Sequence, residues 1–162
     1  MNDIENLNKL KTLIKNISIA MLSSIKDGHI HSRPMATSEI DKDGTIWFFT
    51  KDNSGKIEEI EKNNSVTLNY TNMATNTYVT IIGKVELAGD KNKIEELWNP
   101  LLKAWFPKGA GDPEIGLLKF TPLNVEYWDG SSSKMVVLVN MIKSAITGKG
   151  YDTGGHDSFT LK

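Results

Sequence analysis

Between Ile17 and Thr50, three β-forming runs follow one another with only tight turns between them. "ISIAMLSSI" (17–25) and "HIHSRPMAT" (29–37) flank Asp27-Gly28, and "DKDG" (41–44) leads into "TIWFFT" (45–50). Such turns join antiparallel strands, because a parallel pair needs a crossover too long for either gap. "SVTLNYT" (65–71), "TYVTIIGKVELA" (77–88) and "GLLKFTPLNVEYWD" (116–129) continue the strand pattern. Helical spacing marks 2–16 (Ile4, Leu7, Leu10, Leu13, Ile14), 55–63 behind a Ser54 cap, 90–105 with a bend or break at Pro100, and 131–148. The order α-β-β-β-α-β-β-α-β-α has no βαβ alternation. The expectation is a mainly β (β+α) fold, an antiparallel barrel with flanking helices.

Some residues fit a ladder badly and constrain the barrel further. Pro34 requires an edge, a bulge, or an amide position facing something other than a strand, and Pro122 requires an edge or a bulge. Gly83 implies a bulge or a close backbone approach. No linker or internal repeat divides the 162 residues, so 1–150 reads as a single domain. The segment 151–162, glycine-rich and poor in apolar residues, reads as a flexible tail.

Composition removes several function classes. A net charge of −1 lacks the basic excess of a nucleic-acid binder. The absence of cysteine excludes disulfides, thiolate metal sites and cysteine nucleophiles. "MNDIENLNKLKTLIKN" has no apolar h-region, and "MVVLVNMI" (135–142) is far shorter than the ~20 residues of a membrane span. A soluble, cytoplasmic protein with no membrane partner is expected.

The stretch "FFTKDNSGK" (48–56) runs from a strand into a helix start, offering Thr50 and Ser54 hydroxyls, backbone amides and Lys56 to an anion. It is not a P-loop, since Thr50 stands where that motif has its first glycine and Ile57 follows Lys56. Arg33, on the neighbouring strand of the hairpin, is a candidate second cation. Taken by themselves, these residues also suit a capped surface helix beside a solvated arginine. His29 and His31 could offer two metal ligands, but no third is placed by the sequence, so no metal site is expected. Trp98, Trp105, Phe106, Tyr127 and Trp128 could line a pocket for a flat ring or serve as packing, whereas Trp47 and Phe48 read as core.

In order and spacing, "HSRPMAT", "IWFFTKDNSGKIEEIEKN", "YVTIIGKVEL" and "WFPKGAGDPEIGLLKFTPLNVEYWDG" resemble the pyridoxamine 5′-phosphate oxidase-like flavin-binding split barrels, most closely the general stress protein 26 branch. The resemblance implies a six-stranded antiparallel split barrel and a homodimer with FMN at the subunit interface, FAD being the second candidate. It implies that Arg33, Pro34, Met35 and Ala36 run along the flavin, with Arg33 toward the phosphate. Phe49 and Thr50 would touch ring and tail, and Ser54 and Lys56 would hold the phosphate. Trp105 and Phe106 lie in a loop resembling the one that closes over the flavin from the second subunit. Tyr78 stands where the vitamin B6 oxidases have a flavin-contacting glutamine. Gly55 replaces their arginine before the lysine, and their C-terminal tryptophan and arginine have no match here. Those departures count against true pyridoxamine phosphate oxidase activity. What the resemblance implies is a flavin-dependent oxidoreductase with an unidentified small-molecule redox partner and no assignable catalytic residue. The alternative is a non-catalytic stress protein that sequesters flavin or haem.

Overall fold

The computed structural model describes residues 3–51, 55–130 and 155–161. Helix α1 (Asp3–Ile14) is followed by β1 (Ile19–Lys26), β2 (His29–Ile40) and β3 (Ile46–Lys51). Then come α2 (Gly55–Lys62), β4 (Ser65–Asn72), β5 (Thr77–Ala88), α3 (Lys91–Leu97), a 3-10 turn (Pro100–Ala104), β6 (Ile115–Asp129) and β7 (Gly155–Thr160). The helix expected over 131–148 lies outside the described residues.

Turn chemistry sets the first hairpin. Asp27 and Gly28 both take positive φ (51° and 76°), the combination whose twist matches that of the flanking strands. Lys26 therefore faces His29, and the register runs on to Ile19 opposite Ala36. The strands pair antiparallel in the order β3-β2-β1-β4-β5-β6-β7, and β3 also pairs with β6. That last pairing closes six strands into a ring and leaves β7 outside it.

Strand alternation sends Leu22, Phe48, Leu68, Ile81 and Phe120 into the barrel, where Leu10 and Ile14 of α1 and Ile57 and Ile60 of α2 join them. The continuous apolar run of β3 has a plain cause, because both of its faces are covered. Ile46 and Phe48 enter the barrel core. Trp47 joins Ile94, Phe106, Ile115 and Leu117 in a second core outside it.

Three misfits resolve as geometry. β5 and β6 shift register between Ile82 and Gly83, where Gly83 pairs with Pro122 and Leu123 is passed over. Pro122 thus sits at a bulge. The span 90–105, expected to bend or break at Pro100, breaks there into two elements. Asp90 caps α3, and Asn99 caps the 3-10 turn that Pro100 opens. Residues 155–160, part of the expected loose tail, form β7 and bury Phe159 against the core, with Leu161 just beyond the strand. β7 covers the β6 edge from Asn124 to Asp129, which would otherwise present unpaired backbone.

Candidate ligand site at the split of the barrel

β2 and β3 begin as a ladder and then part. Ile40 pairs with Ile46 and Glu39 with Trp47, but the next pair is Thr37 with Phe48, so Ser38 is an extra residue on β2. Past Thr37 no β2–β3 pair remains. From Ala36 back to His29, β2 pairs only with β1, while Phe49, Thr50 and Lys51 pair only with Leu117, Gly116 and Ile115 of β6. The divergence opens a gap between Pro34-Met35-Ala36 and Phe49-Thr50-Lys51. Pro34 lies in this edge stretch, where a missing amide is tolerated.

The gap holds a cavity of about 530 Å³, walled on its outer side by Leu102, Trp105 and Phe106 and bordered by Ile19 and Ser38. Its size is that of a small-molecule site. Phe49 packs edge-on to Trp98 with centroids 6.2 Å apart and tilted against Phe106 at 6.3 Å. Phe106 is buried, whereas Trp105 is 70% exposed and stands at the mouth. Among the described lining side chains only Lys51 is charged, so this part of the cavity favours a flat apolar body over a polar solute.

The outer wall is held by Lys93 of α3. Its Nζ donates to Glu39 (2.9 Å), Asp41 (3.1 Å) and Glu96 (3.3 Å), and lies 5.5 Å from the Trp47 ring centroid. Trp47 Nε1 donates to Asp41 at 2.8 Å. The Glu39 hydrogen bond is the main reason the Lys93 ammonium holds its proton more tightly than usual. Burial pushes the Asp41 carboxyl up, but the bonds from Trp47 and Lys93 outweigh it and the net shift is downward.

Pro34, Met35, Ala36, Phe49, Thr50, Trp105 and Phe106 line this one cavity together. Trp105 and Phe106 wall the cleft of their own chain, whereas the resemblance implied a reach from a second subunit. Arg33 does not line it. Its Nη2 donates to Glu59 Oε2 of α2 at 2.5 Å, to the Ser24 hydroxyl, and to the His31 carbonyl at 3.3 Å. Ser24 in turn donates to Glu59 at 2.6 Å. The Glu59 carboxyl is held down at about 2, chiefly by the Ser24 hydroxyl and, against the penalty of burial, by Arg33. Tyr78 lies on β5, between Thr71 of β4 and Trp128 of β6, and does not border the cavity. Ser54 and the Lys56 side chain lie outside the described residues.

Sequence reasoning missed Ile19, Ser38, Lys51 and Leu102 as lining residues, and Glu59 as the partner of Arg33. A serine bulge leaves no compositional mark, and Leu102 was one apolar residue among several in a span read as helical. Glu59 stands in "EEIEK", where nothing separates it from its solvated neighbours. His31 Nδ1 comes 3.6 Å from Glu59 Oε1, and among the described residues no three ligating side chains converge on a metal position. His156 stacks on Trp128 with ring centroids 4.6 Å apart.

The family model described as pyridoxamine 5′-phosphate oxidase like matches residues 5–152. The crystal structure of a general stress FMN/FAD binding protein from Xanthomonas citri superposes with a TM-score of 0.68 at 28% identity, covering 80% of this chain and 92% of that one. A general stress protein 26 from Jannaschia sp. CCS1 gives a TM-score of 0.77 at 23% identity over 96% and 98% of the two chains, which shows the shared fold. The protein bli-3 of Neurospora crassa is 22% identical over 156 residues, 90% of this chain and 75% of bli-3.

Proposed function

The chain belongs to the pyridoxamine 5′-phosphate oxidase-like family, and on that premise we propose that it binds a flavin, FMN in the first instance, and uses it as an oxidoreductase. The observation that carries this reading is the gap between β2 and β3, apolar and walled by aromatics. These residues fit a flavin. Phe49, Trp105 and Phe106 supply surfaces for a flat ring, and Pro34 and Ala36 supply an unpaired strand edge beside it. Thr50 and Lys51 shortly precede α2 in the chain, and the first amides of a helix suit a phosphate. Arg33 and Lys56 are the proposed cations for that phosphate, and Ser54 adds a hydroxyl. When bound, the isoalloxazine supplies hydride or electron transfer. The chain's own work is to orient the ring, exclude water from its buried face and neutralise the tail.

The same reading includes a homodimer in the cytoplasm, with a second copy over the outer faces of β1 and β5, where half-exposed Ile19, Met21, Tyr78 and Ile82 leave apolar surface uncovered. Tyr78 would then approach the flavin of the other subunit. Among the described residues no helix is long and apolar enough to cross a membrane.

The test is the visible spectrum of freshly purified protein, with mass analysis of what is released on denaturation. A flavin spectrum and FMN, or FMN uptake with fluorescence quenching, are expected. A colourless protein that titrates with neither FMN nor FAD overturns the proposal. One observation favours a second reading, a flavin carrier without turnover: among the described residues, the lining contains no histidine or carboxylate to move a proton. NAD(P)H-driven reduction of the bound flavin, faster than that of free flavin, would exclude the carrier.

A further inference from the structure

Arg33 is the one cation of the proposed phosphate grip whose partners are visible, and it is already engaged. Its Nη2 meets both Glu59 and Ser24, and Ser24 donates to the same carboxylate oxygen, so the three side chains close a triangle. Among the described residues, every hydrogen bond of the guanidinium leaves from Nη2. With Nη2 engaged by two side chains, the guanidinium is held in place, and Nη1 and Nε remain to donate singly to an anion.

Glu59 suits the part of a fixed anchor. It is 7% exposed on the inward side of α2, whereas the Arg33 side chain is 22% exposed, so the carboxylate sits deeper and the cation nearer solvent. The carboxylate does not cancel the local charge. His31 stands 3.6 Å from its Oε1 and Lys26 Nζ 4.0 Å, both about half exposed. With Arg33 and Lys26 around one carboxylate, the cluster keeps a positive excess. It stays favourable to an anion after the ion pair has formed. Arg33 also neighbours Pro34 along β2, and α2 begins shortly after Lys51, so both elements of the triangle adjoin cavity-lining residues.

We propose that Glu59, with Ser24, is a positioning residue that orients Arg33 toward a phosphomonoester on the ligand of the cleft. This rests on the flavin reading of that cleft. A bland alternative exists, in which the triangle only staples α2 to the β1–β2 hairpin, and the two predict different things. A staple affects every ligand of the cleft alike. A positioning role shows in the phosphate alone.

The experiment compares FMN with riboflavin, which has the same ring and no phosphate, by fluorescence quenching on wild type, Glu59→Gln, Glu59→Asp and Ser24→Ala, with thermal melts alongside. Glu59→Gln is expected to lower the FMN-over-riboflavin preference roughly tenfold, the scale of one charge-assisted hydrogen bond lost. Glu59→Asp should restore part of that preference, and Ser24→Ala should lower it less than Glu59→Gln does. Should Glu59→Gln fail to fold, Ser24→Ala and Glu59→Asp carry the test. An unchanged or raised preference in variants that bind both rings overturns the positioning role while leaving the flavin reading intact. A wild type that binds neither ring overturns both.

Discussion

At Gly83 an added Cβ would sit 2.4 Å from both the Phe120 ring and the Thr121 carbonyl, and the carbonyl is backbone that no rotamer change can move. The bulge that passes over Leu123 brings the β6 backbone this close, so a side chain here must reopen the β5–β6 pairing. Gly83→Ala is expected to destabilise the fold by about 2–3 kcal/mol, the upper range for overpacking. Urea unfolding measures it, and a loss within measurement error would mean that β6 relaxes. Glu59 has its own stability signature. Its carboxyl lies at about 2 when folded and at the usual 4.5 when unfolded. A depressed acid stabilises the fold fully above the unfolded value and loses that contribution as pH falls toward the folded one. The contribution is on the order of 3 kcal/mol at neutral pH. Wild-type unfolding free energy should therefore drop between about pH 4.5 and pH 2, and Glu59→Gln should show a shallower acid limb.

Among the elements, α3 matters most for the cleft, because it ends at Trp98, against which Phe49 packs, and leads into the turn that carries Leu102. Lys93 docks it through two carboxylates, Glu39 and Asp41, and also meets Glu96 within α3; all three are partly exposed and can rehydrate. Lys93→Met is expected to lower stability by about 1–2 kcal/mol, less than the loss of a fully buried pair. It should weaken FMN and riboflavin binding equally, since the wall meets the ring and not the tail. A selective loss of FMN would contradict this division. The elements also show where the sequence was legible. "TIWFFT" announced a strand because its residues pack on both faces. Pro34 and Gly83 announced an edge and a bulge because each lacks a group that an ordinary ladder position uses. The bulge at Ser38 stayed hidden, because it is set by the β3–β6 pairing and any small residue would accept it. β7 stayed hidden for a related reason. Phe159 and Leu161 are too few to signal a strand locally, and the strand forms because the distant β6 edge needs a partner. Arg33 was legible as a cation beside α2, and Glu59 as its partner was not, since i-to-j pairing across a barrel leaves no local period.

For the whole molecule, one strand joins the two cores. β3 has Phe48 in the barrel core and Trp47 in the outer one, and the split opens where β3 leaves β2 for β6. The cleft is therefore bounded by rigid pairing on its β6 side and by an unpaired β2 edge on the other. Ile19, which borders the cavity, continues along β1 to Met21, and both are half exposed, as are Tyr78 and Ile82 across the sheet on β5. Between them the outward side chains of β4 are Thr67, Asn69 and Thr71, with Asn69 bonded to Thr80 at 2.9 Å. A surface of apolar strips around a satisfied polar row suits a two-fold contact with its own copy, in which each strip meets the other's. Such a contact would cover Ile19 and with it one lip of the cleft, tying ligand affinity to assembly. Sedimentation equilibrium should find wild type as a dimer at micromolar concentration and Met21→Asp as a monomer, because a carboxylate there would be buried without a partner. Since Met21 does not line the cavity, FMN affinity in Met21→Asp should fall only as far as the dimer is lost, and raising protein concentration should restore both together. A monomeric wild type that binds FMN with undiminished affinity would separate the cleft from the dimer and refute the coupling.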